Sequence, residues 1–476
     1  MGSNLSSDMP VAEAPTYSFG REVKKQFLFD PKWTNLNHGK FAITSNLIRL
    51  LTEEIIGSFG SIPKVIRDRL RFYQDACEAR PDKFIRYEYP RLLDEGRQVA
   101  AELVNAPLET IVFVQNATVG VNTVFRNLKW SDDGKDVVLT FSTVYEACGK
   151  TVDCVVDYND GLVTSEEIEL AYPIEDKDII DKFRDTVREI EHRGKRVKAC
   201  MFDVVSSRPG VPFPWHDMVQ ACRELGVLSV VDGAQGIGMV PLDLSAADPD
   251  FFVSNCHKWL HVPRACAIFY VPIRNQHLLP STVPTSHGYQ PKLHQRISPL
   301  PPNSKSHFVN NFEYVGTLDN APYLCVADAI KWRKTTFGGE DRILAYLWDL
   351  NKKGSSLIAS KLGTHVLDNA QGTMTNCAMG NVALPLWTSP TQQAMQEGGT
   401  VIPTPEINQA FQWMLETMVE EYQTFIAMYL QDNRLWARIS AQVYIELKDY
   451  EWAAETLSDL CARVAKKEYI KQSREN

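Results

Sequence analysis

From Ile111 onward the chain alternates short apolar runs with stretches whose apolar positions recur at helical spacing. The runs are Ile111–Val114, Val137–Thr140, Ala199–Val205, Val227–Val231, Phe251–Val253 and Ala267–Val271. Helical patterns open at Ala117, near Glu146 and at His216. Near-continuous apolar strands separated by helices are the βαβ rhythm of a mostly parallel sheet covered on both faces. The expected fold class is therefore α/β, with about seven strands sandwiched by helices. Ligands of such sheets sit beyond the carboxyl ends of the strands.

The periodicity lapses over Leu279–Ser306, a stretch rich in Pro, Ser and His that reads as a long irregular excursion. A helix is expected from Pro322 to about Lys334, and a longer one over Asp341–Ser360 leads into a smaller C-terminal α+β lobe. Gln392–Pro403 reads as a polar loop, and no internal repeat is visible. The expected division is an N-terminal arm and pocket segment over 1–60, a large domain over 61–335 and a small domain over 336–476.

The chain has 476 residues, 44% of them hydrophobic and 23% charged, enough for a large core in two lobes. A formal charge of −9 argues against nucleic acid or an anionic membrane as the main partner, since both select basic faces. A small-molecule substrate fits better. Met1–Ala14 lacks a basic start followed by an apolar core, and no apolar stretch reaches membrane-spanning length, so a soluble cytoplasmic protein is expected. Ten cysteines lie scattered without paired short spacings and read as reduced core residues; Cys148 and Cys256 stand near candidate chemistry, but packing is the favoured role.

That chemistry begins where Phe251-Phe252-Val253 delivers Asn255-Cys256-His257-Lys258-Trp259 to a strand end. A lysine there can condense with an aldehyde. Twenty-six positions upstream, the run Val227–Val231 ends in Asp232-Gly233-Ala234-Gln235. A buried carboxylate needs a cationic partner, and a protonated pyridine nitrogen supplies one. Alone, the His-Lys pair would be surface and the Asp-Gly a turn; at matching strand ends of one α/β pattern they point to pyridoxal phosphate.

Other residues join this constellation with rival readings open. Asn116-Ala117-Thr118 follows a strand and opens a helix, where outward N–H groups and the Thr118 hydroxyl suit a phosphate, although Thr118 could simply cap the helix. Gln235 is placed to hydrogen-bond the ring's phenolic oxygen, or is a turn residue. Tyr145 would lie over the pyridine face and serve as an acid toward a leaving group, or is a core tyrosine. His257 and Asn255 would face the phosphate. Arg438 follows an expected helix and enters a strand, where its fork can grip an α-carboxylate or form a surface ion pair.

From about Asn35 to Tyr450 these segments resemble the class V aminotransferase-like family of fold-type I pyridoxal phosphate enzymes, which includes isopenicillin N epimerases and cysteine desulfurases. The resemblance is carried by Asn37-His38-Gly39, Asn116-Ala117-Thr118 with Gly120-Val121-Asn122, Asp232-Gly233-Ala234-Gln235, His257-Lys258-Trp259-Leu260, Gly316-Thr317-Leu318-Asp319 with Pro322-Tyr323, and Arg438-Ile439-Ser440. It implies that Lys258 is the Schiff-base lysine and Asp232 the pyridinium partner. It further implies Ala117, Thr118 and His257 as phosphate ligands, Arg438 as the carboxylate clamp, and Asn37 and His38 as substrate contacts. Thr317 would reach the phosphate of a neighbouring subunit, which implies a homodimer with shared sites. At Asn255 many relatives have serine or threonine.

Tyr17–Arg21, Asn37-His38-Gly39 and Ile85-Arg86-Tyr87-Glu88 look most similar to the fungal hercynylcysteine sulfoxide lyases of ergothioneine biosynthesis. Such a carbon–sulfur lyase uses the lysine to remove the Cα proton and expels a sulfenic acid from Cβ, leaving pyruvate and ammonia; Tyr145 is the candidate acid. Trp33, Phe59 and Tyr87 are candidates for a trimethylammonium group, with core packing as the rival role. Where relatives run Asn-His-Gly directly into Ser-Phe-Gly, Lys40–Gly57 intervenes here, read as a retained intron or as an insertion whose Ile43–Ile56 pattern makes an amphipathic helix. A desulfurase needs a cysteine in a mobile late loop; Cys461 falls in a helical pattern and Cys377 comes early. Epimerase, aminotransferase and non-catalytic cofactor-binding readings use the same lysine.

Overall fold

A computed structural model describes residues 18–38, 60–294, 296–297 and 300–471. Tyr17, Gly39, the segment 40–57, Ser58 and Phe59 lie outside the described residues. The chain divides into two compact units. The first comprises 60–205 and 213–340; the second comprises 18–38, 206–212 and 341 onward, so the N-terminal segment belongs to the second unit rather than standing as an arm.

The first unit is built on seven strands, β1 Ile111–Val114, β2 Asp136–Phe141, β3 Val163–Ile168, β4 Arg196–Asp203, β5 Leu228–Asp232, β6 Phe251–Asn255 and β7 Ala267–Tyr270. Their order across the sheet is β1-β7-β6-β5-β4-β2-β3. The pairings among β2 to β6 are parallel, while β7 runs against both β1 and β6. This is the mostly parallel seven-stranded sheet expected. β1, β2 and β6 are buried along their whole length, which is why they read as continuous apolar runs. β3 was not expected: Val-Thr-Ser-Glu-Glu-Ile alternates buried ends with exposed glutamate, because it is an edge strand with only one neighbour.

Helices return between the strands. Ala117–Asn127 packs against β5 and β6, Asp176–His192 against β3 and β4, and Trp215–Glu224 against β4 and β5. The first of these sits close because of Gly120: a Cβ there would come 2.8 Å from Val253 Cγ2. Ala321–Phe337 packs on Tyr89–Leu103 and Lys64–Ala79. Between Leu279 and Ser306 the described residues form no helix or strand.

The second unit carries β8 Met379–Trp387, β9 Thr400–Val401, β10 Ala427–Gln431 and β11 Arg434–Ser440, in the order β10-β11-β8-β9. It also holds helices Ile407–Glu420 and Leu447–Ala465. The polar segment expected as a loop over Gln392–Pro403 instead forms a helix, Gln392–Glu397, and then β9. Arg438 lies in β11, as expected of a strand position, and β10 stands between it and the helix Ile407–Glu420. β10 and β11 are a hairpin whose tip, Asp432-Asn433, holds φ of 51° and 61°, the left-handed pair that a tight two-residue hairpin turn requires. No helix among the described residues is long and apolar enough to cross a membrane.

Candidate active site

Register places the first unit's chemistry. Asp203 ends β4 directly opposite Asp232, which ends β5, and β6 lies on the other side of β5. Beyond β6 a short helix, Cys256–Trp259, carries Lys258, of which only 7% is exposed. Asp232 is 3% exposed; Oδ1 accepts the Ala234 N–H at 2.9 Å and Oδ2 accepts the Cys148 thiol at 3.3 Å. Burial pushes the Cys148 thiol well up, with Asp232 adding and Lys258 opposing, so it stays a protonated donor. Burial likewise pushes the Asp203 carboxyl well above the usual carboxylate range, with the Asp232 charge adding and Lys258 pulling the other way. Lys258, Asp232, Asp203 and Cys148 thus form one electrostatic cluster.

Asp203 is not among the residues the sequence singles out, although it ends β4 as Asp232 ends β5. The run Ala199–Val205 continues through Val204-Val205, so its apolar pattern hides that the strand itself stops at Asp203.

The helix Ala117–Asn127 is capped by Asn116, whose side chain accepts the Val119 N–H at 3.0 Å, so Thr118 is not the cap. Asn255 Oδ1 accepts the Ala117 N–H at 2.9 Å, and these two expected phosphate contacts therefore satisfy each other. Half-buried Thr118 lies in the same first turn, where helical N–H groups lack intrahelical acceptors. His257 Nδ1 meets the Cys266 carbonyl at 3.0 Å, which fixes the Nδ1–H tautomer. Burial, aided by Lys258 and Arg264 and opposed by that carbonyl, pushes its pKa down to about 4. Gly60, at φ +65°, abuts this segment: a Cβ would fall 1.8 Å from the His257 carbonyl oxygen.

Gln235 is 1% exposed, and its Oε1 accepts the Trp259 indole N–H at 2.7 Å. Its Nε2 is buried with no acceptor among the described residues. Tyr145 is half-buried at the start of the helix Glu146–Tyr158 and packs on the core of the sheet. Thr317 is exposed, its hydroxyl 3.2 Å from the Tyr314 hydroxyl. Tyr87 is 65% exposed.

The second unit gathers Arg438, Asn37 and His38. Arg438 lies in β11 and is fully buried, which removes the surface ion-pair reading. Its Nη1 donates to the Ser207 carbonyl at 2.6 Å and its Nη2 to Asn37 Oδ1 at 2.9 Å. Burial lowers its pKa to about 10, with Tyr429 and Cys377 opposing. His38 Nδ1 pairs with the Tyr444 hydroxyl at 2.9 Å, and the His38 N–H donates to Ser440 Oγ. Trp33 is half-buried in the same unit. Cys377 and Cys461 are buried thiols, each pushed up to about 12 by burial, unlike an attacking cysteine.

The donor set fits pyridoxal phosphate. A buried lysine just past a strand end, a buried carboxylate at the end of the next strand, an unmet Gln235 Nε2 and the helix start at Ala117-Thr118 suit an aldehyde, a ring nitrogen, a phenolic oxygen and a phosphate in turn.

Comparison with known proteins agrees. An L-cysteine desulfhydrase-like protein of Epichloe uncinata is 33% identical over 464 residues, covering 94% of this chain and 97% of that one. The hercynylcysteine sulfoxide lyase of Schizosaccharomyces pombe is 28% identical, covering 93% and 98% respectively. Among solved structures, a cystine C–S lyase with its product cysteine persulfide superposes with a TM-score of 0.65 at 17% identity, covering 84% of this chain and 94% of that one. A lysine variant of the same lyase, with glycine covalently linked to its pyridoxal phosphate, superposes with a TM-score of 0.64 at 16% identity, covering 88% and 100%. Residues 63–290, the span that holds β1 to β7 and Lys258, match the aminotransferase class V family. With the sheet order, the strand-end lysine and a relative matched over nearly its whole length in agreement, the chain belongs to the class V aminotransferase family.

Proposed function

We propose that this chain is a pyridoxal phosphate-dependent carbon–sulfur lyase that acts on cysteine-type substrates by β-elimination. The observation that carries the proposal is that buried Lys258, just past the end of β6, and buried Asp232, at the end of neighbouring β5, lie at the same edge of the sheet, with the Gln235 Nε2 left unmet three residues beyond Asp232. When bound, the cofactor supplies an aldehyde that condenses with amines and a ring that accepts the electron pair from Cα. The residues supply the rest. Asp232 keeps a ring nitrogen protonated, and Thr118 and His257 border the phosphate. Arg438 grips the substrate carboxylate, with Asn37 fixing its fork. The Lys258 amine takes the Cα proton, and the Tyr145 hydroxyl protonates the departing sulfur.

The finer proposal is that the substrate is a cysteine-conjugate sulfoxide, hercynylcysteine sulfoxide, cleaved to a sulfenic acid, pyruvate and ammonia. The similarity to the Schizosaccharomyces pombe lyase supports it. Cysteine itself, cleaved to sulfide, pyruvate and ammonia, is the second reading, favoured by the desulfhydrase-like relative. We propose a homodimer in which exposed Thr317 of one copy reaches the phosphate of the other. Ten free cysteines favour a reducing compartment such as the cytoplasm.

The test is a visible spectrum of the purified protein with pyridoxal phosphate, followed by cysteine, cystine and cysteine-conjugate sulfoxides scored for pyruvate. A visible band lost in Lys258→Ala, with pyruvate from at least one substrate, is expected. A colourless protein overturns the cofactor. A band without pyruvate from any substrate overturns the lyase.

A further inference from the structure

The structure assigns Trp259 a positioning role: its indole N–H sets the Gln235 amide so that only the amide NH2 can face the ring oxygen of the bound cofactor. The inference rests on the cofactor reading above and adds a residue to it. An indole nitrogen donates and cannot accept. The Gln235 atom 2.7 Å from Trp259 Nε1 is therefore the carbonyl Oε1, and the atom left over is Nε2. Nε2 is buried and has no acceptor among the described residues, a costly state that a phenolic oxygen relieves. The two ends of a glutamine amide are nearly alike in size, so packing alone does not choose between them. Without the indole donor, Gln235 is free to turn its oxygen toward the ring oxygen, setting two acceptors face to face.

Trp259 is itself held. It is fully buried, and its carbonyl accepts from Arg333 Nη1 at 2.8 Å. The same guanidinium donates to His261 Nδ1 at 2.9 Å and to the Gly238 carbonyl at 3.3 Å, and pairs with Glu340. Gly238, three residues beyond Gln235, sits at φ +80°, and a Cβ there would come 2.9 Å from the Trp259 carbonyl. Arg333 thus fastens the segment carrying Trp259 and the segment carrying Gln235 to one point, and the indole-to-amide bond is made between two fixed supports.

The test is a double-mutant cycle on the holoenzyme with W259F, Q235L and the pair, reading the dissociation constant of pyridoxal phosphate and the ratio of visible to near-ultraviolet absorption. W259F is expected to change the ratio and to weaken cofactor binding about five- to tenfold, and Q235L to do the same. The double variant is expected to match Q235L, because Trp259 acts through Gln235. Q235E, which keeps Trp259 in place but presents an acceptor to the ring oxygen, is expected to change the ratio as W259F does, and it decides the question if W259F fails to fold. The inference is overturned if W259F and Q235E leave ratio and affinity as in the parent, or if W259F weakens the Q235L protein by the same factor as the parent. A parent protein without a visible band defeats the cofactor reading instead, before any variant is compared.

Discussion

Asp203 and Asp232 stand opposite one another at the ends of adjacent parallel strands, two buried carboxyls in register. Burial, and then the charge of Asp232, hold the Asp203 proton far more tightly than in the unfolded chain, where an aspartate titrates near about 3.9. A folded-state value above the unfolded one means that this group favours folding fully below about pH 4, and that the contribution is lost as pH rises toward the raised value. Asp203→Asn, which cannot ionise, should therefore melt higher than the parent at about pH 8, by on the order of a few °C, with the gap closing toward about pH 4. Thermal denaturation across that range decides it; a gap that does not change with pH contradicts the assignment.

Cys148→Ala removes one of two named donors to the Asp232 carboxylate. The expected loss is about 1–3 kcal/mol of unfolding free energy, the usual cost of stranding a buried polar group. Cys148→Ser keeps a donor at the same place and should recover most of it. Urea denaturation of the two variants compares them directly, and equal losses would show that Asp232 gains nothing from the thiol.

His257 has the opposite sign. Its pKa falls from the ordinary 6.5 to about 4 on folding, chiefly through burial. Stability is therefore complete above about pH 6.5 and is drained as pH falls toward 4. His257→Gln should make the protein without cofactor less sensitive to acid within that window and leave it unchanged near pH 8. The ring's NMR titration in the parent should show a midpoint near 4.

Arg438→Lys exchanges a fixed fork for a single ammonium. The two bonds, to the Ser207 carbonyl and to Asn37 Oδ1, come from separate nitrogens of the fork, a geometry that one ammonium does not reproduce. With Arg438 as the carboxylate clamp, KM for a cysteine-type substrate should rise about 10- to 100-fold. A KM unchanged within about twofold would remove Arg438 from substrate binding.

Much of this arrangement could be read from residue order, and the failures have physical causes. Six strands announced themselves as apolar runs because both faces of the sheet are covered. β3 did not, since an edge position lets Glu166 and Glu167 sit in a strand. Lys258 and Asp232 were found because each closes such a run. Whether Thr118 capped its helix was undecidable from Asn-Ala-Thr alone; the choice went to Asn116, which reaches the Val119 N–H. β10 is not marked by its own residues, because Ala-Met-Tyr-Leu carries no period, and the informative signal is the Asp432-Asn433 pair after it. The Trp259 bond to Gln235 spans 24 positions and leaves no trace in spacing.

The lysine's own backbone has little room to travel. The Cys256 N–H is tied to the Cys266 carbonyl, the Val262 N–H to Cys256, and the Trp259 carbonyl to Arg333. Any excursion of the Lys258 nitrogen must accordingly come from torsions along its own four-carbon stem, swinging like a short arm from an anchored shoulder. The loop beneath it need not open for a catalytic cycle to turn.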